Sequence, residues 1–402
     1  MPSDPILSSI DEAAAAADCG RCSIAIDYLH KLPLDRINGN DRVLDIALQI
    51  LAEGDFEDRW QIAKIVPKLG EIAIQPLLDL VNDPNIDAED RWFGARILGE
   101  FDRPQVIAAL VDIIKNNEEP ELTAIAVGAL TKIGTSAIAA LTATLATPDL
   151  PAAQRQIAIT ILTQIRHSQT IEPLIHLLDD PDPQLRTLIV EALGSFHDPR
   201  IPPLLITKLT DTAANVRKAA ATALSLRSDL AIALDLSRHL RPLLFDLNLA
   251  VCEATILGLA RLPDPKVVVL LTEVLVSDRT PTALKSPVIL ALGWIGNQTA
   301  IDSLIAALPD IPLDLAPEII VALGKTELER EYASQRLVDY WESAAVASTH
   351  SAIVDREIAA ALGNLGNIAS VPTLVKLSAD LDDRVRLHAI TALAKLSPTP
   401  IS

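Results

Sequence analysis

One pattern recurs along the whole chain and restricts what it can fold into. An aliphatic residue, nearly always Leu, precedes a short turn in segments such as VPKLG, LGEFD, LTKIG, LGWIG and LGNLG. We call the first residue of each segment the anchor. The anchors are Val66, Leu98, Leu130, Leu162, Leu193, Leu224, Leu259, Leu292, Leu323, Leu362 and Leu393. Their spacings are 32, 32, 32, 31, 31, 35, 33, 31, 39 and 31 residues, and such a sustained period predicts stacked structural repeats.

Each repeat has the pattern of two helices. Before the anchor, apolar residues recur at three- and four-residue spacing, as in PQLRTLIVEALG at 183–194. Glycines that can end a helix in the left-handed conformation follow at positions 70, 134, 296 and 366. A second amphipathic segment comes next, typified by TIEPLIHLLDD at 170–180. The predicted fold is therefore all-α, a right-handed α-solenoid of about eleven or twelve helix pairs.

A charged position also follows the period. Arg lies seven places before the anchor at Arg59, Arg91, Arg155, Arg186, Arg217 and Arg386. Asp precedes several of them by four places, at Asp55, Asp87, Asp182 and Asp382, where it can cap the first helix. We interpret the arginines as a structural ladder between repeats, in which the same aspartates meet the guanidinium groups. An anion-binding row of arginines is the alternative.

The composition limits the classes of partner. A net charge of −19 argues against binding to nucleic acid, which requires a basic surface, and against an anionic membrane. No apolar run is expected to reach the length of a membrane span, so no membrane insertion is predicted. Three cysteines and the absence of a signal-peptide pattern at the start indicate a cytoplasmic protein.

The repeats resemble a known class. The segments at 182–209 and 382–397, with the pattern D-x-x-V/L-R followed by A-L, are similar to the HEAT repeats of the phycobilisome-lyase-like family. With this resemblance, residues 1–50 are interpreted as an N-terminal helical cap with a degenerate first repeat. Residues 51–402 are interpreted as the HEAT-like solenoid, ending in a half repeat. The deoxyhypusine hydroxylases resemble this class too, but their His-Glu pairs do not occur here.

The resemblance implies a binding function. The first hypothesis is an adaptor or chaperone-like factor that holds a client protein, favoured to be a phycobiliprotein or a component of a photosynthetic complex, without a cofactor. The alternative is a bilin lyase or lyase subunit, which would bind a bilin transiently and attach it to a client cysteine. No catalytic motif is readable in the sequence, so enzymatic activity stays open.

Two sets of candidate binding residues follow. In HEAT-like solenoids the second helices line the concave face, where this sequence places Asp79, Asp112, His176, Glu273 and Lys376. An ordinary solvated helix face is the alternative interpretation. The irregular 39-residue repeat contributes Tyr332, Tyr340 and Trp341 as interface anchors, or as residues that fill a gap in the stacking.

The pair Cys19 and Cys22, in CGRC, is the sharpest short motif. Such a pair can be a redox couple or half of a zinc site. A zinc site needs two more ligands, and the remaining cysteine, Cys252, lies far along the chain. We therefore predict no metal site and interpret the pair as part of the N-terminal cap.

Overall fold

The computed structural model describes residues 5–34, 41–116, 119–147, 150–343 and 351–396. In these ranges the regular secondary structure is α-helix and short 3-10 helix, so the predicted all-α solenoid class is confirmed. The chain divides into two compact units, Met1–Leu193 and Gly194–Ser402. The boundary predicted at residue 50 stays a prediction.

The N-terminal unit begins with three helices that precede the regular pairs. From the fourth helix onward, first and second helices alternate, and the first helices numbered six, eight and ten pack side by side. The helices are α1 (Pro5–Asp18), α2 (Cys22–Lys31), α3 (Asp41–Glu53), α4 (Phe56–Ile62), α5 (Ile74–Asn82), α6 (Ala88–Leu98), α7 (Pro104–Asn116), α8 (Pro120–Ile133), α9 (Ile138–Leu145), α10 (Ala152–Ile165), α11 (Ile171–His176) and α12 (Pro183–Gly194).

The C-terminal unit continues the same alternation, with the even-numbered helices forming the first-helix layer. Its helices are α13 (Ile201–Lys208), α14 (Ala214–Ser225), α15 (Leu236–Leu240), α16 (Leu249–Leu259), α17 (Lys266–Val276), α18 (Thr282–Ile295), α19 (Gln298–Ala307), α20 (Ala316–Gly324), α21 (Arg330–Glu342), α22 (Ala352–Leu365), α23 (Val371–Leu377) and α24 (Asp383–Leu396).

The anchors lie at the centre of the packing. From Val66 to Leu362, every anchor has 0% of its surface exposed. Leu393, in the last described helix, is half-buried. Burying such a side chain contributes roughly 1.5–3 kcal/mol of transfer free energy, so the period of the sequence is the period of the hydrophobic core.

Small residues bring neighbouring first helices close together. At six steps between anchors, the residue after one anchor meets the residue before the next, and one of the two is Gly. A Cβ atom built at Gly324 would lie 2.7 Å from the Cβ of Ala361 and 2.8 Å from its Cα. The pairs of this kind are Gly99 with Ala129, Gly194 with Ala223, Ser225 with Gly258, Gly293 with Ala322, Gly324 with Ala361, and Gly363 with Ala392.

The four predicted turn glycines have the positive φ angles that favour Gly, with values of 78° at Gly70, 76° at Gly134, 55° at Gly296 and 75° at Gly366. Gly296 and Gly366 have the predicted left-handed conformation at the end of a helix. Gly70 and Gly134 differ from the prediction, because their ψ angles of −153° and −125° lie outside that conformation.

The sequence-based expectation about apolar runs needs a correction. By length and composition alone, Pro120–Leu145 would suffice to cross a membrane. This stretch contains both α8 and α9, and Gly134 breaks the helical conformation between them. The α8 helix packs against α6, α7 and α10. The apolar length therefore comes from two consecutive core helices, which supply two layers of the solenoid.

Candidate functional site

The arginine ladder crosses from one helix pair to the next. Arg59 of α4 contacts Asp90 of α6 at 2.9 Å and Glu89 at 3.4 Å. Arg91 forms the equivalent ion pair with Glu119, and Arg155 lies 3.4 Å from Asp180. Burial raises the pKa of Asp90 and outweighs the opposing effect of Arg59.

In the C-terminal unit the ladder contact is bidentate. The Nε and Nη2 groups of Arg217 each donate a 2.7 Å hydrogen bond to Asp246, which lies in the loop before α16. Both side chains are largely buried. These contacts favour the structural interpretation of the arginines.

The predicted partners within the ladder were wrong. Asp55, Asp87, Asp182 and Asp382 accept hydrogen bonds from backbone N–H groups in the first turn of their helices. None of them pairs with a ladder arginine, because the cap already directs each carboxylate toward its own helix end. The guanidinium groups of four of the arginines reach forward to other acids, in or just before the next first helix, namely those of Arg59, Arg91, Arg155 and Arg217.

A second role of the arginines is to hold the loop before the first helix. Arg186 donates to the carbonyl oxygens of Asp180 and Pro181. Arg217 and Arg386 make the equivalent contacts to the carbonyl oxygens six residues before them, both at 2.8 Å. Cys252 occupies the same register position, and its thiol donates to the carbonyl oxygen of Asp246.

We expect Arg217→Gln to lower the free energy of unfolding by about 1–2 kcal/mol, because it leaves the buried Asp246 carboxylate without its charged donor. The hydrogen bond from Arg217 holds the pKa of Asp246 below its ordinary value. The contribution is therefore complete above about pH 4 and declines as the pH falls through the folded-state pKa. The difference in stability between wild type and variant, measured by urea titration, should become smaller at acidic pH. Arg103→Gln, which breaks an exposed pair with Glu71, should change stability by less than about 1 kcal/mol.

The repeated EDRW motif forms an aromatic cluster. The guanidinium carbon of Arg96 lies 3.9 Å from the ring centroid of Trp60 and 5.8 Å from that of Trp92. Phe56 stacks on Trp60 and also contacts Phe93. The two Trp residues therefore hold an arginine between neighbouring first helices, a cation–π arrangement that strengthens their packing.

The predicted second-helix residues are all exposed. Asp79, Asp112, His176, Glu273 and Lys376 lie on α5, α7, α11, α17 and α23. Each contacts a polar neighbour. Gln75 donates to Asp79 and Asn116 donates to Asp112. His176 lies 3.4 Å from Glu172, Arg241 contacts Glu273, and Lys376 contacts Glu342.

The aromatic residues of the irregular repeat are half-buried. The Tyr332 hydroxyl donates to Asp302, and this hydrogen bond raises its pKa. Trp341 Nε1 donates to the buried Asp355 at 2.9 Å, and burial raises the pKa of Tyr340. These contacts join α21 to α19 and α22 and favour the gap-filling interpretation. Residues 344–350 of this repeat lie outside the described residues.

Within the cysteine pair, Cys19 is exposed and Cys22 is buried. All three cysteines are free thiols, and burial raises the pKa of Cys22 and of Cys252, which disfavours the nucleophilic thiolate. Across the described ranges no group of three or more His, Cys, Asp or Glu residues is placed to hold a metal ion.

A groove that the sequence did not predict lies on the first-helix layer of the C-terminal unit. It encloses about 470 Å³ between α18 and α20, with Gly293 and Ala322 at the close approach of the two helices. Leu290, Trp294 and Leu328 line it and are 45%, 54% and 78% exposed. The sequence feature that could have indicated this groove is Trp294, which lies two residues after the anchor Leu292.

Comparisons with known proteins agree with this architecture. The family model described as HEAT repeats matches residues 74–156 and 149–225, so this part of the chain consists of HEAT repeats. The match is to HEAT repeats in general and does not single out the phycobilisome-lyase-like class. No curated protein sequence matches the chain.

Among solved structures, importin beta is similar over 98% of this chain and 65% of its own, with 13% identity and a TM-score of 0.51. A Kap121p mutant is similar over 94% of this chain and 51% of its own, with 17% identity and a TM-score of 0.49. Human deoxyhypusine hydroxylase is similar over 64% of this chain and 95% of its own, with 23% identity and a TM-score of 0.29. At these identities, the likeness to importin beta shows the solenoid fold alone.

Proposed function

We propose that this chain is a protein-binding scaffold that holds a client protein, in a chaperone-like manner, on the exposed face of its second helices. One contrast carries the proposal. The anchors from Val66 to Leu362 are almost uniformly Leu and are fully buried. By contrast, four residues that lie fourteen places after an anchor are exposed and differ in chemistry, namely Asp112, His176, Glu273 and Lys376. A repeated core fixes the spacing of these side chains and leaves their chemistry free to specify a partner.

The HEAT repeats at 74–225 support the same conclusion, because stacked repeats provide extended surfaces for binding. The net charge of −19 favours a client with a basic patch. Three free thiols suit a reducing compartment, and we propose that the protein acts in the cytoplasm.

We propose a phycobiliprotein subunit as the first client to test, on the basis of the resemblance at 182–209 and 382–397. The purified chain is mixed with an apo-phycobiliprotein subunit, with and without a free bilin, and analysed by size-exclusion chromatography. A stable complex that forms without bilin supports the scaffold. Covalent colour on the client supports the alternative, a bilin lyase or lyase subunit. Absence of any complex would remove phycobiliproteins as the client.

Neutralising an acid on the second-helix face should weaken the complex. We expect Asp112→Asn and Glu273→Gln each to raise the Kd roughly threefold to tenfold at low salt, because each removes one charge that faces the client. Both substitutions preserve an oxygen that can accept the hydrogen bond from Asn116 or Arg241. The matched control is Glu253→Gln, an exposed acid on the first helix α16. Equal weakening by all three would place the client elsewhere.

A further inference from the structure

The residue two places after an anchor lies at or just beyond the C-terminal end of a first helix, and within each unit these residues form a row. In the N-terminal unit, Glu100 and Lys132 occupy it in neighbouring pairs, and the ammonium of Lys132 contacts the Glu100 carboxylate at 2.5 Å. In the C-terminal unit, three successive pairs place Arg261, Trp294 and Lys325 there. The row therefore differs between the two units. In the N-terminal unit an ion pair occupies it, and in the C-terminal unit an exposed aromatic residue lies between two cations.

Trp294 separates two adjacent depressions. One is the groove of about 470 Å³, whose lining includes Trp294 and Lys325. The second groove, of about 360 Å³, has a lining that includes Arg261 and also Trp294. The larger volume falls within the range of binding clefts, and its Leu290 and Leu328 walls suit an apolar side chain.

The two cations are available to a ligand. All three residues of this row are exposed. Within the described residues, the side chains of Arg261 and Lys325 form no ion pair or hydrogen bond, and the indole N–H of Trp294 has no acceptor. In a chain of net charge −19, unpaired cations on both sides of an exposed Trp are an unusual local charge distribution.

Two carboxylates also line these grooves. Asp264 already accepts hydrogen bonds from the Ser237 hydroxyl and the Lys266 backbone N–H. Glu327 is exposed and makes no such contact within the described residues. The negative charge of Glu327 therefore repels an anionic ligand in the larger groove, which Leu328 also lines.

We propose that this row binds an acidic segment of a partner protein, in which an apolar side chain lies between carboxylates. The apolar side chain enters the groove beside Trp294, and the flanking carboxylates meet Arg261 and Lys325. This inference rests on the proposed function as a protein-binding scaffold. It adds a second surface, on the first helices, with a charge preference opposite to that of the second-helix acids.

The test uses fluorescein-labelled synthetic peptides and the full chain. The first peptide has one Phe flanked on both sides by Glu, the second replaces Glu with Lys, and the third replaces Phe with Ser. Fluorescence polarisation should show the Glu–Phe peptide binding at least about tenfold more tightly than either of the others. Equal binding of the Glu and Lys peptides would overturn the proposal.

Variants locate the binding site. Trp294→Ala should weaken the Glu–Phe peptide by at least about tenfold, since a central aromatic residue dominates such contacts. Arg261→Gln and Lys325→Gln should each weaken it roughly threefold to tenfold, and Glu327→Gln should strengthen it. Lys132→Gln, which makes the same change in net charge at the same register position, should have no effect. Weakening by Lys132→Gln equal to that by Lys325→Gln would reduce the binding to non-specific attraction and overturn the proposal.

A spectroscopic readout does not depend on comparing affinities. In protein labelled with 5-fluorotryptophan, the ¹⁹F resonance assigned through Trp294→Phe should shift when the Glu–Phe peptide is added. The resonances of Trp60, Trp92 and Trp341 should stay in place. Circular dichroism checks that each variant is folded, and an unshifted Trp294 resonance at saturating peptide contradicts the assignment.

Two further results separate this inference from its alternatives. If sedimentation shows a dimer of the wild type that Trp294→Ala abolishes, the occupant is a second copy of this chain and the inferred partner is wrong. If the peptide binds as expected while no phycobiliprotein complex forms, the groove assignment stands and the proposed client fails. If a phycobiliprotein complex forms but the peptide does not bind, only the groove assignment is rejected.

Discussion

Replacing the anchor Leu259 with Ala is expected to lower the free energy of unfolding by about 2–5 kcal/mol. Leu259 ends α16 and has 0% of its surface exposed. The α16 helix packs against both α14 and α18, so a truncated side chain leaves a cavity where consecutive pairs meet. The transfer free energy lost with the removed atoms and the free-energy cost of the cavity add together. Urea and thermal denaturation of the full chain, followed by circular dichroism at 222 nm, measure the effect.

Leu247→Ala is the control, because this Leu lies in the loop before the same helix and is fully exposed. It should change stability by less than about 0.5 kcal/mol. If the two leucines gave equal effects, the anchor would not be a core position and the repeat register would be wrong. Because distant pairs of a solenoid can unfold separately, the transition that shifts should be the one that includes the C-terminal unit.

Adding a single methyl group at Gly324 is expected to destabilise the protein by about 2–3 kcal/mol. Ala is normally the better helix former, so helix propensity alone predicts the opposite sign. The new Cβ would lie 2.7–2.8 Å from Ala361, and one of the contacted atoms is the backbone Cα. The α20 and α22 helices would have to move apart, which disturbs the packing on both sides of α20.

Gly128→Ala is the matched control for this prediction. Gly128 lies within α8, and a Cβ atom there would meet nothing within 4 Å. This substitution should raise stability by about 0.5–1 kcal/mol, since Ala costs less backbone entropy than Gly in a helix. Opposite signs for the two variants would establish that the close approach of first helices requires Gly. A stabilising Gly324→Ala would contradict it.

These effects show which parts of the fold were predictable. The sequence predicted the helix pairs and the register because the same aliphatic residue must be buried once in every repeat. The turn glycines at 70, 134, 296 and 366 were predictable for a local reason, since a residue with a positive φ angle is usually Gly. The capping aspartates were predictable for the same kind of reason, because a cap contacts its own helix end.

Contacts between repeats were less predictable. The ladder arginines were identified, but their partners were misassigned. Asp90, Glu119 and Asp246 lie 31, 28 and 29 residues after their arginines, and their separations vary with the loop lengths. The period of the sequence shows which residues occupy equivalent positions in their repeats. It does not show which side chain of the next helix pair lies opposite each arginine. The apolar length of Pro120–Leu145 was likewise resolved by its packing within the first-helix and second-helix layers.

By itself, the sequence determined an all-α stack of helix pairs, its register, and the positions of its turns and caps, because each depends on residues within one repeat. The tertiary structure decided what those repeats present to their surroundings. It showed Tyr332 and Trp341 bound to Asp302 and Asp355, and it brought Trp294 between two unpaired cations. The physical reason is that a surface made by successive repeats depends on how their helices pack in three dimensions.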